Sequence, residues 1–271
     1  MASETDDLKP VAQVGGHGAW DKSQQMMAST KGIEKPIGEG VRGQRELNFY
    51  EKIHAENSPY AHFQPFIPGF NGTVERNGQT YIIMENLTRD FEKPCLMDIK
   101  IGQKTYGPDC TEEKAKRQDS SYTGTKIPFG FSVPGLGSYH GKEKNEAVRM
   151  DKKFGRDLTE DRIDELLQIY LDPEGDKDAA KTLAGIFLSK LKDLFAMYDK
   201  QTDFHIFASS VLFVYDACAI LDESKRSHLE DFADIRMIDF AHSWPAEGKK
   251  DENYLRGLSS LITLFEDFSN K

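Results

Sequence analysis

Apolar residues fall into two kinds of block along this chain. Leu47, Tyr50 and Ile53 recur at helical spacing and predict a helix over 42–54. Ile163, Leu166, Leu167 and Tyr170 share one face of a second segment, 158–171, where Thr159 is followed by acidic residues. A longer amphipathic run, 178–198, carries Leu183, Ile186, Phe187, Leu191, Leu194 and Phe195. Residues 253–268 close the chain as a helix, and 111–118 reads as a short charged one. The β-rich runs 11–14, 32–35, 80–84, 209–215 and 236–240 predict strands instead. Stretches 66–70 and 72–75 lead into Asn77-Gly78, a hairpin turn signal. The first third thus reads strand, turn, strand, helix, strands, the plan of a lobe that covers a nucleotide. The remainder mixes helices with two strands, so the expected class is α+β.

Composition narrows the picture. The 271 residues allow one large domain or two lobes with a shared core. Cys95, Cys110 and Cys218 are far apart and form no C-x-x-C pair, which disfavours a disulfide framework or zinc site and suits a reducing compartment. No apolar run approaches the roughly 20 residues needed to span a bilayer. The first ten residues are polar, lack a signal-peptide core and predict a flexible tail. A formal net charge of −10 argues against nucleic acid as a partner. It leaves room for a local basic pocket, and Lys114, Lys116 and Arg117 with Gln118 make such a cluster.

Candidate chemistry lies in several places. Asp98 and Lys100, two apart on an extended segment, point the same way. Taken alone, Asp-x-Lys fits a salt-bridged pair on an exposed strand face. Asp239 ends an apolar run, where an unpaired carboxylate is costly to bury; a magnesium ion or a capped turn would answer that cost. Gly15-Gly16-His17-Gly18 looks like a phosphate loop, but a lone glycine cluster is weak evidence.

Wider motifs change the weighting. Pro94-Cys95-Leu96-Met97-Asp98-Ile99-Lys100-Ile101-Gly102 is a complete P-x-x-x-D-x-K-x-G and resembles the signature of the inositol polyphosphate kinase family. Three further segments resemble the family in the same order. They are Phe207 through Tyr215 with its Ser209-Ser210 pair, Arg236-Met237-Ile238-Asp239-Phe240-Ala241-His242, and Asn253-Tyr254-Leu255-Arg256-Gly257-Leu258. The resemblance covers roughly residues 10 to 268. Lys100-Ile101-Gly102-Gln103-Lys104 and the trailing Ala241-His242 are most like the multikinase branch.

The resemblance implies a two-lobed, protein-kinase-like α+β fold with a small helical substrate-binding segment. Its parts would be a tail at 1–10, a nucleotide lobe at 11–87 and a catalytic lobe at 88–271, with inositol phosphate bound within 110–170. It implies an ATP- and Mg2+-dependent kinase of inositol polyphosphates. Lys35 would contact the ATP phosphates and pair with Glu46, while backbone groups of Glu85 and Leu87 would bond adenine. Asp98 would hold the ribose, with a general-base role as the alternative. Lys100 would reach the γ-phosphate and substrate, and Asp239 with Ser210 would hold magnesium. Arg42, Lys100, Lys114, Lys116, Arg117, Gln118 and His242 would meet the substrate phosphates; solvated charges, and for His242 a structural role, are the alternatives. Residues 111–155 make a short lid, which predicts an open pocket and stepwise conversion of inositol 1,4,5-trisphosphate to a pentakisphosphate. A hexakisphosphate kinase, a non-catalytic scaffold and a lipid kinase are the competing readings. No H-R-D or D-F-G segment supports a protein kinase. The expected location is nucleus and cytoplasm, without stable membrane insertion.

Overall fold

Asn77 and Gly78 both take positive φ, 50° and 77°, the backbone that a two-residue hairpin demands. They join two strands of a sheet that the computed structural model describes over residues 8–11, 25–38, 40–172, 174–222 and 224–271. The first five-stranded sheet contains β1 (Lys9–Pro10), β2 (Met27–Ser29), β3 (Gly32–Pro36), β4 (Phe70–Arg76) and β5 (Gln79–Met84), in the order β1-β2-β3-β5-β4. Helix α1 (Val41–His54) leaves β3 and crosses toward the rest of the chain. Glu46, Leu47, Phe49, Tyr50 and Ile53 form its buried face.

The second sheet begins with β6 (Pro94–Ile101) after a connection over residues 85–93. Next come α2 (Glu112–Asp119), α3 (Thr123–Phe129), β7 (Phe131–His140), β8 (Glu146–Met150) and α4 (Lys152–Asp157). The helices α5 (Asp164–Leu171) and α6 (Lys177–Tyr198) follow, then β9 (Phe204–Ile206), β10 (Ser210–Asp216), β11 (Ala233–Ile238), β12 (Ser243–Pro245) and α7 (Glu252–Asn270). The sheet is antiparallel, with order β11-β10-β6-β7-β8, and among the described residues β9 pairs only with β12.

Strand alternation divides this sheet chemically. One face buries Cys95, Met97, Ile99, Ile101, Val211, Phe213, Ile235 and Met237. Phe187 of α6 and Phe265 of α7 pack there, each 5.4 Å from the Phe213 ring. Side-chain caps start both helices: Asp176 accepts from the Ala179 amide at 3.0 Å and Asp251 from the Tyr254 amide at 3.1 Å. The other face carries Leu96, Asp98, Lys100, Ser210, Leu212 and Ile238; Asp98 and Ser210 are buried and the other four half-buried.

Two expectations need correction, and three elements were not foreseen. Lys9 and Pro10 are not tail: they pair with Ala28 and Met27, because backbone pairing at a sheet edge needs no apolar side chain. The helix expected over 158–171 is broken, with a 3-10 turn at Glu160–Arg162 before α5 starts at Asp164. Residues 61–66 form a 3-10 helix containing Pro65 just before the stretch at 66–70. Strands β7 and β8 went unpredicted, since Pro134, Gly135 and Gly137 obscure the alternation. Pro134 is tolerated because the β6–β7 register shifts between Asp98 and Lys100, where the ladder is already interrupted. Residues 12–24, including the glycine cluster at 15–18 and most of the strand expected at 11–14, lie outside the described residues.

Candidate active site

Register brings the chemical residues together. Lys100 of β6 lies opposite Ser210 of β10, and Ser210 lies opposite Ile238 of β11. Asp239 follows directly, so Lys100, Ser210 and Asp239 line up at one end of three adjacent strands. Asp98, one pleat back on β6, lies opposite Leu212. Two non-glycine residues at this edge adopt the left-handed backbone, Ala208 (φ 55°) and Asp239 (φ 65°). That conformation is uncommon outside glycine and concentrates at functional sites. At Ala208 it accompanies a carbonyl that accepts a hydrogen bond from Lys100 Nζ at 2.8 Å.

Asp239 reaches across the lobes. Lys35 Nζ on β3 donates to Asp239 Oδ1 at 2.5 Å and to Glu46 Oε1 at 2.8 Å. Burial alone would lower the Lys35 pKa, but the two carboxylates, Asp239 foremost, outweigh it and hold the group above its ordinary value. Glu46 Oε1 also accepts the Phe240 amide at 3.3 Å. The Phe240 ring stacks on Phe49 with centroids 4.2 Å apart and meets Tyr50 edge-on at 5.4 Å. Helix α1 therefore holds Phe240, next to Asp239, through Glu46 and through this aromatic packing.

The fit of a metal can be judged from the donors. Ser210 Oγ and Asp98 Oδ1 are buried and complete no well-formed hydrogen bond among the described residues, although the Ser210 hydroxyl lies near enough to favour the Asp98 carboxylate. Orphaned oxygens of this kind call for a ligand. Among the described residues no three His, Cys, Asp or Glu side chains form a self-sufficient metal cage. Oxygen donors in small number suit magnesium, which takes one or two carboxylates and completes its shell with phosphates and water. Burial raises the Asp98 pKa, opposed chiefly by Lys100.

At the start of the connection after β5, the Glu85 amide donates to the Gly69 carbonyl at 2.8 Å, and the Glu85 carboxylate accepts the Gly69 amide at 3.0 Å. The Glu85 amide is thus committed to the sheet, which narrows the expected backbone groups to the Glu85 carbonyl and the Leu87 amide.

Positive charge gathers around His242. Its pKa is pushed down to about 4, first by burial and then by Arg42, with Lys114 and Arg45 adding to the effect and Asp109 opposing it. Those side chains come from α1, α2 and the loop before α2. Arg45 was missed by sequence reasoning. It donates to the Ala241 carbonyl at 3.0 Å and to Asp109 at 3.2 Å, and its guanidinium lies 4.2 Å from the Trp244 ring centre. Its one-turn spacing from Arg42 was the available signal.

The basic helix α2 divides its residues. Lys114 and Gln118 lie one turn apart and are half-buried, whereas Lys116 and Arg117 are exposed. Gln118 is held through its oxygens: Thr105 Oγ1 donates to its side-chain oxygen at 2.9 Å, and Lys126 Nζ donates to its carbonyl. Lys116 lies roughly 160–200° around the helix from Lys114 and Gln118.

A second basic group, also unforeseen, comes from α4. Lys152 has its pKa lowered by burial first and then by Arg156 and Lys100, while Asp98 opposes. Lys152 therefore sits within electrostatic reach of the Asp98–Lys100 pair, with Arg156 one turn along the helix beside it. Gly155 allows that approach: a Cβ there would lie 1.8 Å from the Val133 carbonyl oxygen of β7. The sequence clue was Asp151, which caps α4 ahead of cations at i and i+4. By contrast, a groove of about 780 Å3 lined by His62, Lys190, Asp193, Asp203, Asp234 and Arg236 among others shares none of these residues. Its charges largely neutralise each other, as in Lys190–Asp234 at 3.1 Å and Arg236–Asp234 at 2.8 Å.

A family model described as "Inositol polyphosphate kinase" matches residues 81–266. The chain belongs to the inositol polyphosphate kinase family. Among its relatives, inositol polyphosphate multikinase alpha of Arabidopsis thaliana is 29% identical over 277 residues, covering 95% of this chain and 94% of that protein. Human inositol polyphosphate multikinase is 28% identical, covering 92% of this chain and 64% of its own length. Human inositol hexakisphosphate kinase 2 is 29% identical over 72% of this chain and 53% of its own. Members of the family have been solved: the Saccharomyces cerevisiae inositol phosphate multikinase Ipk2, in complex with ADP and Mn2+, superposes with a TM-score of 0.70 at 24% identity, over 87% of this chain and 98% of that one. The α+β, kinase-like fold is thus the family's, and the likeness to the multikinases extends over nearly the whole chain.

Proposed function

We propose that this protein transfers the γ-phosphoryl group of ATP to hydroxyls of inositol polyphosphates, carrying inositol 1,4,5-trisphosphate to tetrakis- and pentakisphosphate. One observation carries the reading: Lys35, Glu46 and Asp239 meet beside Lys100 and Ser210, and the cations of α1, α2 and α4 gather around the same edge. Phosphoryl transfer asks mainly for positioning and charge stabilisation, and these groups supply both.

In this mechanism the Glu85 carbonyl and Leu87 amide orient adenine, and the orphaned oxygen of Asp98 accepts from the ribose hydroxyls. Lys35, oriented by Glu46, holds the ATP phosphates. Asp239 and Ser210 are the residues that would hold magnesium. When bound there, magnesium neutralises phosphate charge and so makes the γ-phosphoryl group a better electrophile. Lys100, steadied by the Ala208 carbonyl, sits against the transferred group. Arg42, Lys114, Lys152, Arg156 and His242 receive the phosphates already on the ring, with Arg45 behind them. Of the stretch 111–155, residues 131–150 lie largely in β7 and β8, so the lid reduces to α2 and α3. So slight a lid supports the open pocket and stepwise addition.

The test is incubation with ATP, Mg2+ and a panel of inositol phosphates, with products separated by charge and isomer. Successive tetrakis- and pentakisphosphate products are expected from the trisphosphate. No product from any inositol phosphate, or a single addition and then arrest, overturns the proposal. Lys114→Ala should raise KM for the trisphosphate about tenfold, the loss of one charge-assisted contact, and leave KM for ATP within about twofold. Lys116→Ala should change both by less than about twofold. Equal effects of the two variants would mean that α2 presents another face to the substrate.

His242 provides a pH test. Its folded pKa of about 4 lies below the ordinary 6.5, so between those values the unfolded chain binds more protons. Stability therefore falls as pH drops from 6.5 toward 4. The His242 ring resonances should titrate near pH 4 in the free protein. Adding inositol hexakisphosphate should raise the midpoint, because bound phosphates offset the neighbouring cations. A midpoint near 6.5 that is indifferent to the ligand would place His242 outside the phosphate site.

A further inference from the structure

The first turns of α7 carry the motif Asn253-Tyr254-Leu255-Arg256-Gly257-Leu258, which the phosphoryl-transfer site leaves unused. Two of its side chains grip the segment that runs from Lys100 to α2. The Asn253 side-chain amide reads the Lys104 backbone at both ends: Nδ2 donates to the carbonyl at 3.0 Å and Oδ1 accepts from the amide at 2.9 Å. Arg256 Nη1 donates to Gln103 Oε1 at 2.6 Å. Its Nη2 donates to the carbonyls of Ile127 and Pro128 at 2.7 and 3.1 Å, at the C-terminal end of α3. Gly257 lets the helix come this close, since a Cβ there would lie 2.5 Å from the Gly130 carbonyl oxygen.

The contacts continue to the basic helix. Lys126, on the α3 that Arg256 holds, is buried and donates to the Gln118 carbonyl at the end of α2. Thr105, next to the Lys104 that Asn253 holds, donates to the Gln118 side chain at 2.9 Å. Tyr106 donates to Asp119 at 3.1 Å. No side chain of α2 is buried, so these polar ties rather than apolar packing fix its orientation.

We propose that Asn253 and Arg256 are positioning residues for the inositol phosphate. By clamping residues 103–104 and α3, they hold α2 at a set offset from Lys100 and so determine which ring hydroxyl meets the γ-phosphoryl group. The kinetic part rests on the kinase reading above; the clamp itself does not.

Asn253→Ala and Arg256→Ala act on separate contacts, so one suffices if the other fails to fold. Hydrogen–deuterium exchange of the full chain, without ligand, is the first readout. Amides of 112–119 should exchange at least about tenfold faster in either variant, while those of β6 and β10 stay unchanged. The second readout is kinetic. With inositol 1,4,5-trisphosphate, KM should rise about tenfold with KM for ATP unchanged, and the ratio of tetrakisphosphate isomers should shift at least about threefold. A merely structural role would lower the active fraction without moving the isomer ratio. Wild-type exchange at 112–119 in a folded variant overturns the clamp. An unchanged isomer ratio, or KM values for ATP and trisphosphate that rise together, overturns the positioning role. If the wild-type protein phosphorylates no inositol phosphate, the kinase reading fails while the exchange result still decides the clamp.

Discussion

Asp239→Asn should lower kcat by about 1000-fold or more while the melting temperature stays within a few degrees. The substitution keeps size and shape, and asparagine, like aspartate, is among the residues that tolerate positive φ, so the left-handed backbone at φ 65° survives. Alanine would confound the experiment by adding backbone strain. What disappears is the charge. Magnesium would lose its carboxylate, and Lys35 would lose one of its two anionic partners, keeping Glu46 at 2.8 Å. An effect felt mainly in the transition state should appear in kcat rather than in KM for ATP, and loss of a phosphoryl clamp is worth roughly 4 kcal/mol or more. The measurement is steady-state turnover at saturating ATP and trisphosphate, with circular dichroism to confirm folding. A near-normal rate would mean that the metal is held elsewhere.

Lys100→Ala is expected to cost about 1000-fold in kcat, roughly 4 kcal/mol, with KM for ATP changed by less than about threefold. The ε-ammonium donates to the Ala208 carbonyl at 2.8 Å, and Lys100 lies on the same strand face as Asp98, two residues away. Its partner is a neutral backbone group, so its charge is free to act on the moving phosphoryl group. The Asp98 pKa supplies an internal check. Lys100 is the main influence opposing its rise by burial, so the variant's carboxyl should titrate higher still. Weakened ATP binding with an unchanged rate at saturation would assign Lys100 to nucleotide binding instead.

Much of this site was legible before any coordinates. The P-x-x-x-D-x-K-x-G segment and the Ile238-Asp239-Phe240 segment are contiguous, and the residues within each keep a fixed local geometry whatever surrounds them. The Lys35–Glu46 pairing that the resemblance implied forms at 2.8 Å, across the short connection from β3 to α1. The cations of α4 escaped notice because nothing local marks them as different from solvated charges. They matter only because Gly155 lets α4 lie against β7, next to the strand that carries Asp98 and Lys100. The structure puts Lys114 and Gln118 on a half-buried side of α2 and leaves Lys116 and Arg117 exposed, a division not visible in the sequence for a related reason. Proximity along a helix says which residues are adjacent, not which side of the helix the protein covers.

Helix periods, caps and turns are decided by interactions within a few residues, so α1, α6, α7 and the Asn77-Gly78 hairpin were all written in the sequence. The meeting of Lys35 with Asp239, 204 residues apart, was not. It required β11 to take its register against β10, Phe240 to stack on Phe49, and α1 to bridge the two sheets. Each of these is a choice among long-range packings of similar apolar surface, which only the whole folded core resolves. The sequence motifs and the family they resemble therefore named the candidate groups, while the tertiary structure decided which of them face one another and which cations stand around them.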